Sequence, residues 1–309
     1  MYKIIDAHCD TASELLDRNE NLKDNTCMIN KSYMDEYESS VLTFAAFVSK
    51  KEPNPMDRAL KILQKAKNEI RKNDIELILS SDDLERTLKE KRKGAILSIE
   101  DARALCGSIM PLYFFYNLGV RMMTLAWNDD NEVTDGANSK EQTGLTDFGR
   151  DVVKEMNRLN MMIDVSHISE RGFWDVMETT KKGVIASHSN CYHECPHVRN
   201  LKDNQIKELV KTGGMMCINI YPPFLEIEHE KADIKSVIRH IEYALSIGAE
   251  DNLGMGSDFD GIDATPKGIT NLKDYKKLFK ELEKMNYSQE LIDKITHKNF
   301  VNFMKRTEK

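Results

Sequence analysis

The sequence predicts an α/β fold, a (β/α)₈ barrel of the TIM type with extra C-terminal helices. Three observations lead to this prediction. Short apolar segments alternate with longer amphipathic ones from end to end, eight of the short segments have strand character, and no Pro-, Gly- or Ser-rich linker divides the chain. We therefore expect residues 1–309 to form one barrel domain, although the same alternation also suits a doubly wound open sheet.

The predicted strands are short runs rich in apolar residues. In chain order they are 3–6, 41–47, 95–99, 120–125, 161–165, 184–187, 215–220 and 253–256. Helical periodicity falls between most of them, at 56–72, 109–118, 146–159, 169–180, 202–211 and 234–247. Thr146 and Asp203 stand where helix N-caps are expected, and the stretch 274–306 predicts two or three further helices.

Composition excludes several kinds of partner. The net charge is −7, from 44 basic and 51 acidic residues, which argues against nucleic acid or an anionic membrane surface. No apolar run is long enough to span a bilayer, and the N-terminus lacks a signal-peptide pattern. The six cysteines form no Cys-x-x-Cys pair, so reduced thiols and a cytoplasmic location are expected. The basic run "KEKRK" at 89–93 is interpreted as a solvated helix end.

Ionisable residues follow five of the predicted strands, where an unpaired charge is costly. These residues are His8 and Asp10 after the first strand, Glu100 after the third, His167 after the fifth, His188 after the sixth and Asp258 after the eighth. Each one alone would be read as a polar residue capping the next helix. In both candidate folds, however, the carboxyl ends of the strands carry the chemistry, so six such residues at one rim predict a functional site.

The remaining histidines and cysteines are given simpler interpretations. His229, His240 and His297 lie in a polar linker or on helices, where surface roles are expected. The segment "CYHECPH" alternates Cys and His from Cys191 to His197. Its tight spacing and its proline make a tetrahedral zinc site awkward, so we expect a plain loop.

Three imidazoles and three carboxylates without a thiolate suit zinc, and also manganese or iron(II). Six donors are too many for one catalytic zinc and suit two metals that share a bridging carboxylate. Glu100 is the expected bridge, between a first metal held with His8 and Asp10 and a second held with His167 and His188. Asp258 then lies near the first metal, as a ligand, as the base that transfers the proton of water, or as both.

The motifs of the chain resemble those of the membrane dipeptidase (renal dipeptidase) family of the amidohydrolase superfamily. The resemblance rests on "DAHCDT", "LSIEDA", "LGVRMMTLAWN", "TGLTDFGRDVVKEMNRLNMMIDVSHIS", "VIASHSN", "VRNL" and "GSDFDG", in that order. It implies a (β/α)₈ barrel, a binuclear zinc site and hydrolysis of dipeptides that tolerates a D-residue at the C-terminal position. The family's ligands fall on the residues assigned above, and its substrate-carboxylate arginine falls on Arg199. In "GSDFDG", we expect Gly256 and Gly261 to permit tight backbone geometry rather than to cradle a phosphate.

Two departures from the family pattern affect the expectations. The best-known mammalian members carry a histidine after the fourth strand that polarises the substrate carbonyl, whereas this sequence has Trp127. Polarisation is then left to the metals and to Asn128 or a water, and Trp127 is expected to contact the substrate. The secretory leader and lipid-anchor tail of the mammalian forms are also missing, so no membrane attachment is expected.

The leading hypothesis is a cytoplasmic metallo-dipeptidase with two divalent ions, expected to be zinc. A hydroxide held by the metals attacks the peptide carbonyl of a small dipeptide, and Asp258 shuttles the proton. One alternative keeps the site but changes the substrate, as in a deacylase, lactonase or phosphodiesterase of the same superfamily. Another is a non-catalytic metal-binding protein. Relatives of the family suggest a homodimer.

Overall fold

Eight parallel strands form a closed barrel in the computed structural model, which describes residues 1–309. The strands are β1 (Lys3–Cys9), β2 (Ser39–Phe47), β3 (Lys93–Glu100), β4 (Val120–Thr124), β5 (Met162–Asp164), β6 (Ile185–Ala186), β7 (Met215–Ile218) and β8 (Leu253–Met255). Each strand pairs with the next, and β8 pairs back with β1 through Met255 and Asp6. The (β/α)₈ prediction is therefore confirmed, and the open-sheet alternative is wrong because the sheet closes.

Several strand boundaries differ from the prediction in a way that affects the site. β1 continues through His8 to Cys9, and β3 continues to Glu100, so both side chains lie within a strand rather than after one. A further strand of two residues, Glu76–Leu77, pairs with the amino-terminal end of β3 and was not predicted. Two residues are too few to produce a hydrophobic periodicity.

Thirteen α-helices surround the barrel. They are α1 (Thr11–Asp17), α2 (Lys31–Asp35), α3 (Pro55–Lys72), α4 (Ser81–Lys89), α5 (Met110–Asn117), α6 (Asp147–Arg158), α7 (Glu170–Thr179), α8 (Asp203–Thr212), α9 (Pro222–Leu225), α10 (Ile234–Ser246), α11 (Tyr275–Lys284), α12 (Gln289–Asp293) and α13 (Asn299–Thr307). All six helices predicted between strands are present, and three follow β8 as predicted. α4 ends at Lys89, which is exposed, as expected for the basic run. No helix has both the length and the apolar character that crossing a bilayer requires.

Of the two predicted helix caps, one is confirmed and one is wrong. Thr146 accepts a hydrogen bond from the backbone N–H of Gly149 and caps α6. Asp203 lies inside the first turn of α8, and Lys202 occupies the N-cap position instead. Since a lysine side chain has no acceptor, the Gln205 side chain accepts the N–H of Lys202 at 2.9 Å and satisfies the end of the helix.

Apolar side chains fill the amino-terminal end of the barrel. Ile5, Val41 and Ile96 from the strands belong to one buried cluster with Phe300 and Phe303 of α13. The C-terminal helix therefore packs against this end of the barrel and closes it. Polar side chains are consequently left to the opposite, carboxyl end, where the site lies.

The Cys/His segment 191–197 after β6 is a loop, as predicted. Its side chains contact different neighbours and do not converge. The thiols of Cys191 and Cys195 donate to the carbonyls of His240 and Pro223, and His193 stacks on the ring of Tyr243. None of these cysteines or histidines is among the donor groups close enough to share a metal ion. All six cysteines of the chain are free.

The prediction that His240 lies at the surface is wrong. His240 is fully buried on α10, where Nδ1 accepts the N–H of Cys191 at 3.1 Å and Nε2 donates to the carbonyl of Leu225 at 3.1 Å. His229 is exposed and His297 is half-buried.

Candidate metal centre

Six side chains converge at the carboxyl end of the barrel, and all six are buried. They are His8, Asp10, Glu100, His167, His188 and Asp258, the same six that the strand ends predicted. Parallel strands deliver them because the carboxyl ends of neighbouring strands meet at one rim. Their donor atoms fall into compact groups that include Glu100, His167 and His188 on one side and His8, Asp10 and Asp258 on the other.

Glu100 lies between the two groups, with one oxygen toward each. Its Oε2 is 3.4 Å from His8 Nε2, whereas its Oε1 is 3.1 Å from His167 Nε2 and 3.9 Å from His188 Nε2. On the first side, His8 Nε2 is also 3.3 Å from Asp10 Oδ2 and 3.9 Å from Asp258 Oδ1. On the second side, the Nε2 atoms of His167 and His188 are 2.7 Å apart. The two oxygens of Glu100 therefore face different groups of donors.

Hydrogen bonds from neighbouring residues orient the rings of His167 and His188. His188 Nδ1 lies 2.7 Å from the Ser187 hydroxyl, which in turn donates to Asp164 Oδ2 at 2.6 Å. His167 Nδ1 lies 2.9 Å from Asn128 Oδ1. In both cases Nδ1 carries the proton, which leaves the Nε2 lone pair directed at the cluster, the tautomer that a metal ligand needs.

Asp164 is a residue of the site that was not predicted from the sequence. Its Oδ1 accepts the backbone N–H groups of Ser166 and Ser187, and its Oδ2 accepts the hydroxyls of Thr124 and Ser187. Although Asp164 lies close to His8 and His188, these four bonds occupy its oxygens and make it a support for the site. The sequence contains a signal for this role, because a carboxylate within the apolar run "MID" is expected to be buried and therefore to need hydrogen-bond partners.

Backbone geometry at the site depends on two glycines. A Cβ at Gly261 would lie 2.3 Å from Asp10 Oδ2 and 2.6 Å from Asp258 Oδ1, and a Cβ at Gly256 would lie 1.7 Å from the carbonyl oxygen of Ser187. The expectation of tight backbone geometry is confirmed, and Gly261 leaves open the space in front of two carboxylates. His167 and Asp258 themselves have positive φ angles of 66° and 64°, a strained conformation that often occurs at functional sites.

Burial and mutual repulsion of the carboxylates shift the pKa values of the cluster in the direction that a bound cation would relieve. Burial, together with the nearby Asp10 carboxylate, raises the pKa of Glu100 to about 8 and that of Asp258 to about 6. Burial alone would lower the pKa of His8, but the carboxylates of Glu100 and Asp10 outweigh it and raise that pKa well above 6.5. Burial also keeps the pKa values of His167 and His188 well below 6.5, so both are neutral donors. Two neutral imidazoles, a third imidazole beside the carboxylates and three buried carboxylates form a donor set that divalent zinc-like ions bind, so the residues fit such ions.

The two aspartates of "GSDFDG" have different surroundings. Asp258 Oδ2 accepts the side-chain N–H of Asn219 at 3.0 Å, and this bond turns Oδ1 toward His8. Asp260 instead accepts the hydroxyl of Thr11 at 2.6 Å and the backbone N–H of Met28 at 2.7 Å. Asp258 therefore faces the cluster, whereas Asp260 links its own loop to the segments that contain Thr11 and Met28.

Arg199 is buried next to the cluster without a partner for most of its guanidinium. It is 5% exposed, and its Nε and Nη2 make no hydrogen bond within the protein. The guanidinium carbon lies 5.4 Å from the centre of the Phe224 ring. Burial lowers the pKa of Arg199 to about 10. A cavity of about 200 Å³ contains Arg199 and reaches His167, so the guanidinium can meet an anion there.

A second cavity, of about 350 Å³, opens directly over the cluster. It is lined by Asp10, Glu100, His167 and Asp258 at its base, and by Phe47, Trp127, Asn128, Tyr221, Phe224, Gly261, Ile262 and Asp263. The Trp127 ring lies 6.0 Å from the His167 ring, and its backbone N–H donates to Asp101. Trp127 thus forms part of the wall, and the Asn128 side-chain oxygen is directed at His167.

Comparison with known proteins points to one family. The model of the membrane dipeptidase family, peptidase family M19, matches residues 1–309. An uncharacterized protein in the pqqA 5′ region of Klebsiella pneumoniae is 33% identical over 75% of this chain and 88% of its own length. The uncharacterized dipeptidase C965.12 of Schizosaccharomyces pombe is 34% identical over 76% of this chain, and dipeptidase tcpJ of Claviceps purpurea is 31% identical over 78%. The matches span only 58% and 57% of the length of these two dipeptidases.

Solved structures share the fold over the full chain. The dipeptidase AC, a metallopeptidase of family M19, has a TM-score of 0.91 at 25% identity and covers 99% of this chain and 98% of its own. A metallopeptidase from Rhodobacter sphaeroides, liganded with a phosphinate mimic of L-Ala-D-Ala, also has a TM-score of 0.91 at 24% identity, with 99% of both chains covered. The barrel and its connections are therefore those of this group of proteins.

Proposed function

The chain belongs to the membrane dipeptidase family of metallo-dipeptidases, and on that premise we propose that it hydrolyses free dipeptides with two divalent metal ions, expected to be zinc. The observation that carries the proposal is the position of Glu100. One of its oxygens faces His8 and the other faces His167 and His188, which suits a carboxylate shared by two ions. A single ion would leave half of this buried donor set without a partner.

The side chains of the cluster then have distinct roles. His8, Asp10 and Glu100 would hold one ion, and Glu100, His167 and His188 the other. When bound, a pair of such ions activates water and polarises the carbonyl that is attacked. Asp258 Oδ1 faces the same space while Asn219 holds Oδ2, so Asp258 is placed to take the proton of water and to pass it to the leaving amine.

Arg199 supplies the recognition of substrate. A buried guanidinium with unpaired N–H groups is costly unless an anion meets it. The free carboxylate of a dipeptide lies one residue beyond the scissile bond, and the cavity of Arg199 adjoins the cluster at His167. We therefore assign Arg199 to that carboxylate, and the family resemblance implies that a D-residue is accepted there.

The alternatives have less support. A deacylase, lactonase or phosphodiesterase would use the same donors. A neutral ester or lactone offers no anion to Arg199, whereas a phosphodiester does, so a phosphodiesterase is distinguished by assay on a phosphodiester substrate. A non-catalytic metal-binding protein has no need of a carboxylate placed for proton transfer at Asp258. A homodimer and a cytoplasmic location are kept as proposals, to be tested by size-exclusion chromatography with light scattering and by cell fractionation.

The test uses the zinc-loaded enzyme on L-Ala-L-Ala, L-Ala-D-Ala and L-Ala-L-Ala amide. We expect kcat/KM for the amide to be lower by roughly 10- to 150-fold, since a charge-assisted hydrogen bond contributes about 1.5–3 kcal/mol. Arg199→Ala should lose a similar factor on the free dipeptide and barely distinguish acid from amide. Arg199→Lys should recover part of the loss, because an ammonium cannot form the planar two-point contact.

The control for these variants is Arg71→Ala, on an exposed position of α3, which should behave as wild type. If the wild-type enzyme cleaves acid and amide equally well, Arg199 does not read the carboxylate, and a broader amidohydrolase becomes the better interpretation.

A further inference from the structure

Two cavities adjoin at His167 and differ in size and lining. The smaller, of about 200 Å³, contains Arg199, and we call it the arginine cavity. The larger, of about 350 Å³, lies over the metal-ligand cluster and is walled by aromatic side chains, and we call it the aromatic cavity. Since His167 lines both, one substrate molecule can occupy the two cavities with its scissile carbonyl at the cluster.

Arg199 sets the direction in which a dipeptide lies. A free dipeptide has a single main-chain carboxylate, on its C-terminal residue, so that residue enters the arginine cavity. The scissile carbonyl belongs to the N-terminal residue, whose side chain and ammonium therefore extend into the aromatic cavity. Asp263, which lines the aromatic cavity and is exposed, has the charge that suits an ammonium.

Two aromatic pairs form the walls of the aromatic cavity. Phe47 ends β2 and lies 5.2 Å from Trp127, which follows β4, with the rings tilted by 59°. Tyr221 and Phe224 follow β7, with ring centres 5.0 Å apart and nearly perpendicular at 89°. Because β7 lies across the barrel from β2 and β4, the two pairs face the cavity from different sides. A flat or large apolar side chain placed between them would bury its surface against rings on both sides.

The arginine cavity is the smaller of the two, at about 200 Å³ against about 350 Å³. Ala137, Val165, Ile168 and Leu201 line it together with the guanidinium that the carboxylate must reach. A bulky C-terminal side chain would have to share this smaller space with its own carboxylate. A small C-terminal residue fits it better.

From this geometry we propose that the preferred substrates are dipeptides with an aromatic or large apolar N-terminal residue and a small C-terminal residue. The proposal rests on the proposed dipeptidase function and names its substrate class. Phe47, Trp127, Tyr221 and Phe224 are the specificity-determining residues.

The test compares dipeptides of identical composition and opposite order on the zinc-loaded enzyme. Phe-Gly is measured against Gly-Phe, and L-Phe-D-Ala against L-Ala-D-Phe. We expect kcat/KM to favour the aromatic-first member of each pair by roughly 10- to 100-fold, the range that apolar side-chain contacts give in specificity pockets. Phe47→Ala and Trp127→Leu should each reduce that preference by about fivefold or more through KM, while metal content stays at the wild-type level.

Ile227→Ala provides the matched control, because Ile227 is an exposed apolar residue after α9 that lines neither cavity. It should keep the full preference. Equal cleavage of both members of each pair would overturn the inference while leaving the dipeptidase function intact. If none of the four dipeptides is cleaved, the proposed function fails, and this inference fails with it.

Discussion

Glu100 is the side chain that the proposed binuclear site assigns to both ions. Glu100→Ala removes both oxygens that face the two histidine groups, so we expect both metal sites to weaken together. After dialysis against metal-free buffer, wild-type protein should retain about two divalent ions per chain by elemental analysis, and the variant fewer than about one. Glu90→Ala, at an exposed position beyond α4, is the control. One ion held at wild-type affinity in Glu100→Ala would show that Glu100 does not bridge.

Asp258 differs from Glu100 in that its proposed role is proton transfer. Asp258→Asn keeps the shape of the side chain and its contact with Asn219, so the fold and at least one ion should remain. We expect kcat to fall by roughly 10²–10⁴, the usual range for a positioned acid–base group. Asn219→Ala keeps the carboxylate but removes the partner of its Oδ2, and it should lower kcat by a smaller factor. A loss of less than about fivefold in Asp258→Asn would exclude Asp258 from this role.

Hydrogen bonds at the strand ends hold the ligand-bearing segments in register. Asp6 Oδ1 accepts the N–H groups of His8 and Ser257, so it ties β1 to the segment after β8. Asp164 Oδ1 accepts the N–H groups of Ser166 and Ser187, which lie just after β5 and β6. Each buried carboxylate thus braces two neighbouring strand ends at the rim. The histidines at 8, 167 and 188 are positioned by these braces, through parts of the chain that lie far apart in sequence.

His240 connects helix α10 to the segments that contain Cys191 and Leu225. Because this ring is buried, it affects the stability of the fold at acid pH. The neutral ring bonds Cys191 and Leu225, and burial lowers its pKa to about 4 from an ordinary 6.5. Between these two pH values the unfolded chain binds the proton and the folded chain does not, so stability falls as the pH falls from 6.5 to 4. The contribution of His240 to this loss is about 3 kcal/mol, since one pKa unit corresponds to about 1.36 kcal/mol.

Urea unfolding at several pH values would measure this effect. His240→Gln keeps an acceptor and a donor but cannot titrate, so its free energy of unfolding should depend less steeply on pH between 6.5 and 4 than that of the wild type. His229→Gln, at an exposed position, should leave the slope unchanged. Parallel curves for wild type and His240→Gln would mean that His240 does not titrate in this range.

At the scale of the whole molecule, the barrel is closed by apolar packing at one end and holds buried charge at the other. Since ions bind the folded site and the assembled donors do not exist in the unfolded chain, metal binding should stabilise the fold. For each ion, at a free concentration 100-fold above its Kd, the gain is about 2.7 kcal/mol, or about 4 °C in Tm for a chain of this size. Removing metal with a chelator should lower Tm by about this amount, and added zinc should restore it.

The control for the thermal experiment is Glu100→Ala, whose Tm should respond little to the chelator. If the wild-type Tm is also insensitive to the chelator, the cluster does not bind ions tightly enough to affect folding.

The strand–helix alternation and the six donors at the strand ends could be predicted from the sequence pattern, and Arg199 from the family resemblance. Alternation and strand ends are local properties, because burial imposes a period on each segment and because a polar residue after an apolar run marks the rim of the sheet. That is why all eight barrel strands were located, and why the ligand candidates at the strand ends were found without a structure.

Three features could not be predicted from the sequence: the closure of the sheet, the atoms of Glu100 that face each histidine, and the surroundings of His240. Closure depends on Asp6 pairing with Met255, and the aromatic side chains of the aromatic cavity come from the end of β2 and from the segments after β4 and β7. The braces of Asp6 and Asp164 join different strands in the same way. Each of these features is a contact between segments distant in the chain, and hydrophobic periodicity reports only whether a residue is buried. The residue that it packs against depends on the tertiary structure, and the local sequence pattern carries no information about that partner.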